Sequence, residues 1–325
     1  MPHPSVPEWS GEELAYLSPG AANNYFGYKM RHERNWDELD FGFRMSARVA
    51  LQDGEPAPNA APYANPAAAS AAVKEMGVEL GADLVGVTPL DPKYVYKGHD
   101  LPHRFAVVIA CAMDLDEVLQ VPRIESNAEY LRIYDRCSSI AVELARLLRE
   151  RGYPARAHTV RQEDVAMIPL AQAAGIGELG KHGSLINREM GCSFRLAVVT
   201  TDLEMEADAK RDDGIDDFCS KCRMCVTYCP GDAISHEKQE VRGVMKWVVD
   251  TEKCTPYFSS HYACAICLRV CPWNAKAFEG RFMDSFKRSI GELKQDWPER
   301  KAQLQADLQE AWSLMAPPEE TAPIP

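Results

Sequence analysis

A chain of 325 residues, 46% apolar and 26% charged, can bury one large core and still carry a small module. Its formal net charge of −12 is repelled on average by phosphate backbones, which disfavours nucleic acid as a partner. The opening Met1-Pro-His-Pro-Ser-Val-Pro7 lacks the basic and apolar regions of an export signal, and the longest apolar run, Phe105 to Met113, is too short to cross a bilayer. A cytoplasmic protein with no membrane partner is the expectation, in a compartment where thiols stay reduced.

Residues 1–62 show no strong helical or strand period but are rich in aromatics, so they read as an extension packed on the core, with a Pro/Ala/Asn-rich linker at 55–66. At Asn65-Pro66 the pattern changes. Asn as N-cap, Pro at the first helical position and apolar Val73, Met76 and Leu80 predict a helix ending at Gly81. The sequence then predicts a strand over 82–88, a buried strand over 105–111 and a long helix over 127–151 closed by Gly152. In that helix Ile133, Cys137, Ile140, Leu144 and Leu147 form one stripe. A short helix at 169–175 and a strand at 194–201 follow, and the alternation predicts an α/β domain.

Between Asp202 and Asp217 eight acidic residues face two basic ones, which reads as a solvated connector. Beyond Gly280 the chain is helical and charged and ends in a Pro-rich tail expected to be mobile. The domain expectation is therefore an extension at 1–62, an α/β domain at 63–210, a cysteine-rich module at 211–280 and a helical segment with its tail at 281–325.

The cysteine-rich module carries the strongest chemical signal. Phe218-Cys-Ser-Lys-Cys-Arg-Met-Cys-Val-Thr-Tyr-Cys-Pro230 has the C-x2-C-x2-C-x3-C-P spacing of bacterial ferredoxins, and Cys264-Ala-Ile-Cys-Leu-Arg-Val-Cys-Pro272 is a second run ending in Cys-Pro. In that pattern the cysteine before proline crosses to the other cluster. Cys219, Cys222, Cys225 and Cys271 are thus expected to hold one [4Fe–4S] cluster, and Cys229, Cys254, Cys264 and Cys267 a second. Zinc needs only four ligands, and a disulfide framework suits an exported chain. Cys111, Cys137 and Cys192 lie outside the pattern and read as small buried hydrophobes.

A two-cluster ferredoxin needs only about sixty residues, so the rest of the chain has a further use. The stretch 174–187 has glycine at 175, 177, 180 and 183. It is neither a P-loop nor a dinucleotide fingerprint. Its density suits either close approach to a flat ligand or plain turn geometry, and the spacing leaves both open.

Together with Gly81-Ala-Asp-Leu-Val-Gly-Val-Thr-Pro-Leu90, Tyr134-Asp-Arg-Cys137, Ile168-Pro-Leu-Ala171, Ala174-Gly-Ile-Gly-Glu-Leu-Gly180 and Lys246-Trp-Val-Val-Asp-Thr-Glu-Lys-Cys254, these features make the chain resemble the corrinoid-dependent reductive dehalogenases and their relatives, the epoxyqueuosine reductases. The resemblance covers about residues 65–280. It implies a nitroreductase-like α/β domain binding base-off cobalamin, fed by two [4Fe–4S] clusters, which acts on an organohalide and draws electrons from an external ferredoxin or flavodoxin-type donor. It also implies Tyr134 as proton donor, Lys181 as the cation beside it and Gln162 as a third polar residue. Gly175, Gly177, Gly180, His182, Gly183, Leu185 and Asn187 are the implied corrin contacts. Lys181 stands where the dehalogenases usually have arginine, and Asn187-Arg188-Glu189 where they have Thr-Pro-Glu. Gly180-Lys-His182 is closer to an epoxyqueuosine reductase, an enzyme of transfer RNA, but the C-terminal extension of those enzymes has no counterpart here. A non-catalytic corrinoid or iron–sulfur electron carrier is the third reading. The oligomeric state is open.

Overall fold

The computed structural model describes residues 36–241, 243–277 and 283–315. Most of the expected N-terminal extension, and the Pro-rich tail, lie outside them.

The described chain opens on helix α1, Trp36–Arg48, where sequence periodicity gives no helix. Its arginines Arg44 and Arg48 pair with Asp135 across the molecule, and Met45 between them is buried, so tertiary contacts support the helix. Helix α2, Pro66–Glu79, starts as expected: the Asn65 side chain accepts from Ala68 N at 2.8 Å, and proline occupies the first turn.

Strands β1 (Leu84–Pro89) and β2 (Phe105–Ala112) follow, then helices α3 (Leu115–Val118) and α4 (Ile124–Glu150). Next come β3 (Ala155–His158), helix α5 (Met167–Ala173), the short strands β4 (Glu178–Leu179) and β5 (Leu185–Ile186), and β6 (Phe194–Thr201). The main sheet has the order β1-β2-β6-β3. Every pair in it is antiparallel, with Val107 opposite Val87 on one side and Val199 on the other. The alternation of helices and strands correctly gives a mixed α/β layer structure but carries no information on strand direction.

Both faces of the sheet are covered, which is why β2 and β6 read as nearly unbroken apolar runs. Val107, Ile109, Ala197 and Val199 pack against Ile133, Cys137, Ile140 and Leu144 of α4. Ala106, Val108, Leu196 and Val198 pack on the other side against Leu170 and Ala171 of α5 with Ile176 and Leu185.

The acidic stretch after β6 is not a free connector. Leu203, Met205 and Ile215 are buried, the Asp208 carboxylate accepts from Val87 N at 2.7 Å, and Glu178 accepts from Asp213 N at 2.5 Å. Acidic residues placed along an irregular segment satisfy its neighbours' backbone donors, which a reading of net charge does not detect.

The C-terminal module comprises α6 (Ile215–Lys221), α7 (Met224–Thr227), the hairpin β7 (Gln239–Val241) and β8 (Val244–Lys246), α8 (Thr251–Ser260), α9 (Ile266–Arg269) and α10 (Pro272–Ala277). Helix α11, Met283–Met315, matches the expected helical end. No helix among the described residues is long and apolar enough to cross a membrane.

Candidate functional site

The buried thiols among the eight patterned cysteines act on one another electrostatically. Burial pushes Cys219 up to about 11 and Cys225 up to about 12, and the thiolates that add to the effect are Cys271 and Cys222, with Cys219 acting on Cys225 as well. Burial also raises Cys254 to about 11 and Cys264 to about 12, with Cys229 acting on both and Cys254 on Cys264. Cys267 is raised well above its ordinary value, again by burial first, and feels Cys264, Cys225, Cys254 and Cys229. Buried thiols that oppose one another's ionisation form a donor set suited to metal, which supplies the compensating positive charge. Cys271 lies near enough to act on Cys219 and Cys225, and Cys229 near enough to act on Cys254, Cys264 and Cys267, proximities that a crossed arrangement would need. The backbone is held tightly where the second run begins: Tyr262, Ala263, Cys264 and Ala265 all have positive φ, between 38° and 63°.

Loop 174–187 is not an open cradle. A Cβ on Gly177 would meet Ile186 O at 2.5 Å, one on Gly180 would meet Ile186 Cδ1 at 2.5 Å, and one on Gly175 would meet Ala209 O at 2.5 Å. The glycines are therefore required by protein packed against them. Asn187 is fully buried, donating to Ile176 O and accepting from Met190 N, and Leu185 belongs to the core. His182 lies against Cys271 and Cys192, with a ring nitrogen and the two sulfurs within 4.8 Å of one another. At the implied corrin contacts Gly175, Gly177, Gly180, His182, Leu185 and Asn187 the contacts seen are thus made by the protein itself. A cavity of about 160 Å³ beside Gly175, lined also by Leu84, Asp208 and Arg211, is well below the roughly 300 Å³ that a drug-sized ligand needs.

Lys181 also has a different place from the expected one. It is 2% exposed, donates to Cys222 O at 3.0 Å and sits 4.6 Å from the Trp247 ring centroid. Its ammonium supports the first cysteine run. The cation on Tyr134 is instead Arg195 of β6, whose guanidinium carbon lies 5.2 Å from the Tyr134 ring centroid and 4.7 Å from that of Tyr130. Gln162 is exposed on the turn that pairs it with Thr159, and is not joined to this group.

Tyr130 and Tyr134 lie one helical turn apart on α4 and so share a face. Tyr130 is buried and its hydroxyl has no partner; burial raises its pKa, the Arg195 charge opposes that rise, and Cys267, Cys264 and Cys192 add to it. Arg195 Nε is likewise buried and unpartnered. Two orphaned polar atoms thus lie next to the half-buried Tyr134, near the second cysteine group. Sequence reasoning missed Arg195 because a single arginine in an otherwise apolar strand gives no periodic signal.

Comparison with known proteins gives the chain's family likeness. Residues 218–275 match the family model of the 4Fe–4S dicluster domain. The chain is 27% identical over 300 residues to a tetrachloroethene reductive dehalogenase of Desulfitobacterium hafniense, covering 74% of this chain and 52% of that protein. It is 30% identical over 155 residues to an epoxyqueuosine reductase of Leadbetterella byssophila, covering 42% of this chain and 47% of that one. Among solved structures, a catabolic reductive dehalogenase superposes with a TM-score of 0.70 and 31% identity, covering 83% of this chain and 41% of the other. A reductive dehalogenase described in terms of B12-dependent dehalogenation gives a TM-score of 0.70 and 30% identity, covering 83% and 40%. The chain spans about half the length of the curated relatives it matches. Its relatives in both sequence and structure are reductive dehalogenases, with epoxyqueuosine reductases further away.

Proposed function

We propose that this chain is the reducing core of a reductive-dehalogenase-like oxidoreductase, in which two [4Fe–4S] clusters deliver electrons to a reaction site at Tyr134, Arg195 and Tyr130. The observation that carries the reading is the pair of orphaned polar atoms, Tyr130 Oη and Arg195 Nε, beside the second group of buried thiols. Base-off cobalamin in its cob(I) state is the reductant this chemistry calls for; the likeness to dehalogenases supports it, and no residue is assigned to it here. The substrate class is an organohalide, and the electron source an external ferredoxin or flavodoxin-type donor.

The protein's own part in such a reaction is to bind, orient and protonate. Arg195 presents a fixed positive charge to an anionic or phenolic substrate and to departing halide. Removing halide reductively leaves carbon needing a proton, and two tyrosines face the same guanidinium. Burial raises the Tyr130 pKa, which suits that hydroxyl to serve as a fixed hydrogen-bond donor. Tyr134 is half buried, so its proton is replaced from solvent after each turnover, and we assign it the donor role.

Anaerobic reconstitution with cobalamin and iron–sulfur clusters, followed by a halide-release screen over halophenols and haloalkanes with a strong chemical reductant, tests the proposal. Halide release that depends on added corrinoid is the expected result. Corrinoid binding without halide release, but with reduction of epoxyqueuosine in transfer RNA, would move the chain to its other relatives. Failure to bind corrinoid at all would leave an electron carrier.

A further inference from the structure

His182 is 7% exposed, and its Nδ1 accepts a hydrogen bond from the Ser184 backbone N–H at 3.2 Å. A backbone N–H can only donate, so Nδ1 is the acceptor nitrogen and a neutral ring carries its proton on Nε2. Nε2 is buried and finds no partner in the protein. A buried donor left unmet is costly, and native interiors rarely keep one unless another group answers it. The side chains beside it are Cys271 and Cys192, within 4.8 Å. Cys192 is already engaged: its sulfur lies 3.4 Å from Asn274 Oδ1 and 3.8 Å from Leu268 O. Cys271, as a metal-bound thiolate, has lone pairs and negative charge to offer.

The preceding residue reaches the same cysteine group independently. Lys181 donates to the carbonyl of Cys222 at 3.0 Å. Two consecutive side chains of one loop thus meet two of the four cysteines expected to share a cluster. Gly183, at φ 82°, turns the chain immediately after them.

We infer that His182 is the outer hydrogen-bond donor of the cluster held by Cys219, Cys222, Cys225 and Cys271, and that its Nε2–H holds that cluster's reduction potential up. Reduction adds one negative charge to the cluster, and an N–H dipole pointed at a cysteinyl or inorganic sulfur stabilises the more negative state. His182 is a positioning residue for the electron, not a ligand. This inference depends on the clusters alone and stands whatever the substrate is.

The test is redox titration of the full, cluster-loaded chain, followed by electron paramagnetic resonance. His182→Phe keeps a flat ring and removes the donor. It should make reduction of one cluster about tenfold less favourable, a downward shift near 59 mV for one electron, and leave the other cluster in place. His182→Gln retains an amide N–H and should return most of the shift, whereas Cys192→Ala, which removes only a weak S–H group, should move it little. Unchanged midpoints in His182→Phe, or an equal fall in both clusters, would overturn the inference. Should His182→Phe lose its cluster, the unaltered chain with 15N-labelled histidine decides the matter. Pulsed resonance of the reduced protein should show a histidine nitrogen coupled to one cluster, and its absence would refute the assignment.

Discussion

Asn274 ties the cysteine module to the sheet, and removing its side chain should cost a large part of the protein's stability. The residue is fully buried on α10, three positions after Cys271. Its Oδ1 accepts from Cys192 N at 2.9 Å and from Ser193 Oγ at 3.0 Å, and its Nδ2 donates to Leu268 O at 2.9 Å. In Asn274→Ala, Leu268 O keeps the bond from Cys271 N at 3.1 Å. Cys192 N and Ser193 Oγ, both buried, keep nothing equivalent. Two orphaned buried groups at about 1–3 kcal/mol each give a loss of about 2–6 kcal/mol, against a typical total of about 5–15 kcal/mol. At about 2 °C per kcal/mol for a chain of this size, anaerobic calorimetry of the loaded protein should show a midpoint lowered by about 4–12 °C. Ser193→Ala removes one bond and leaves no orphaned hydroxyl, so it should fall short of that. A midpoint within about 1 °C of the parent in Asn274→Ala would show that these bonds are replaced by solvent, and the reasoning would fail.

Gly191 tests the same contact from the other side: at φ 59°, a Cβ there would meet Asn274 Oδ1 at 2.4 Å, so Gly191→Ala should lower the midpoint too. The loaded chain should carry close to eight iron atoms, two clusters of four, and Cys271→Ala should take iron analysis toward four with loss of one resonance signal. Retention of both signals, followed by loss of one in the Cys192→Ala/Cys271→Ala double variant, would show that Cys192 substitutes as a ligand. Tyr134→Phe should lower halide release by about 10²–10⁴-fold with clusters still bound; turnover within a few-fold of the parent would remove the phenol from the reaction. His158 is fully buried, and burial with the Arg156 charge holds its pKa down at about 3. The unfolded chain therefore binds the extra proton between about pH 6.5 and 3, and stability falls across that window by up to about 1.4 kcal/mol per pH unit. His158→Gln should flatten this acid limb; an unchanged limb would assign it to other groups.

Much of the framework was legible in the sequence because local signals dominate there. Asn65-Pro66 marks the start of α2, the apolar stripe from Ile133 to Leu147 marks α4, and β6 is found at the expected 194–201. The dicluster module was legible too, since ligand spacing is a local property. What escaped depends on distant partners. Strand β3 was missed because Arg156 and His158 look polar, yet Arg156 meets Asp164 at 2.8 Å and His158 meets Thr200 at 2.9 Å. Arg195 stands in the place expected of Lys181 for the same reason. Which cation faces Tyr134 is decided by how β6 lies against α4. The glycines of loop 174–187 announced a close approach, but the spacing could not say whether a ligand or the protein makes it.

Four successive residues without glycine, Tyr262 to Ala265, hold left-handed backbone at the head of the second cysteine run. Each such residue costs on the order of 1–2 kcal/mol, so the segment resembles a compressed spring, with Cys264 inside it as the catch. Metal bound at that sulfur keeps the catch closed. A newly made chain without its irons has less to oppose the spring, and this stretch should be the first to open and the first a protease can thread. The same four residues would then report whether the chain has been loaded, through faster proteolysis of the iron-free chain at this stretch than of the loaded one.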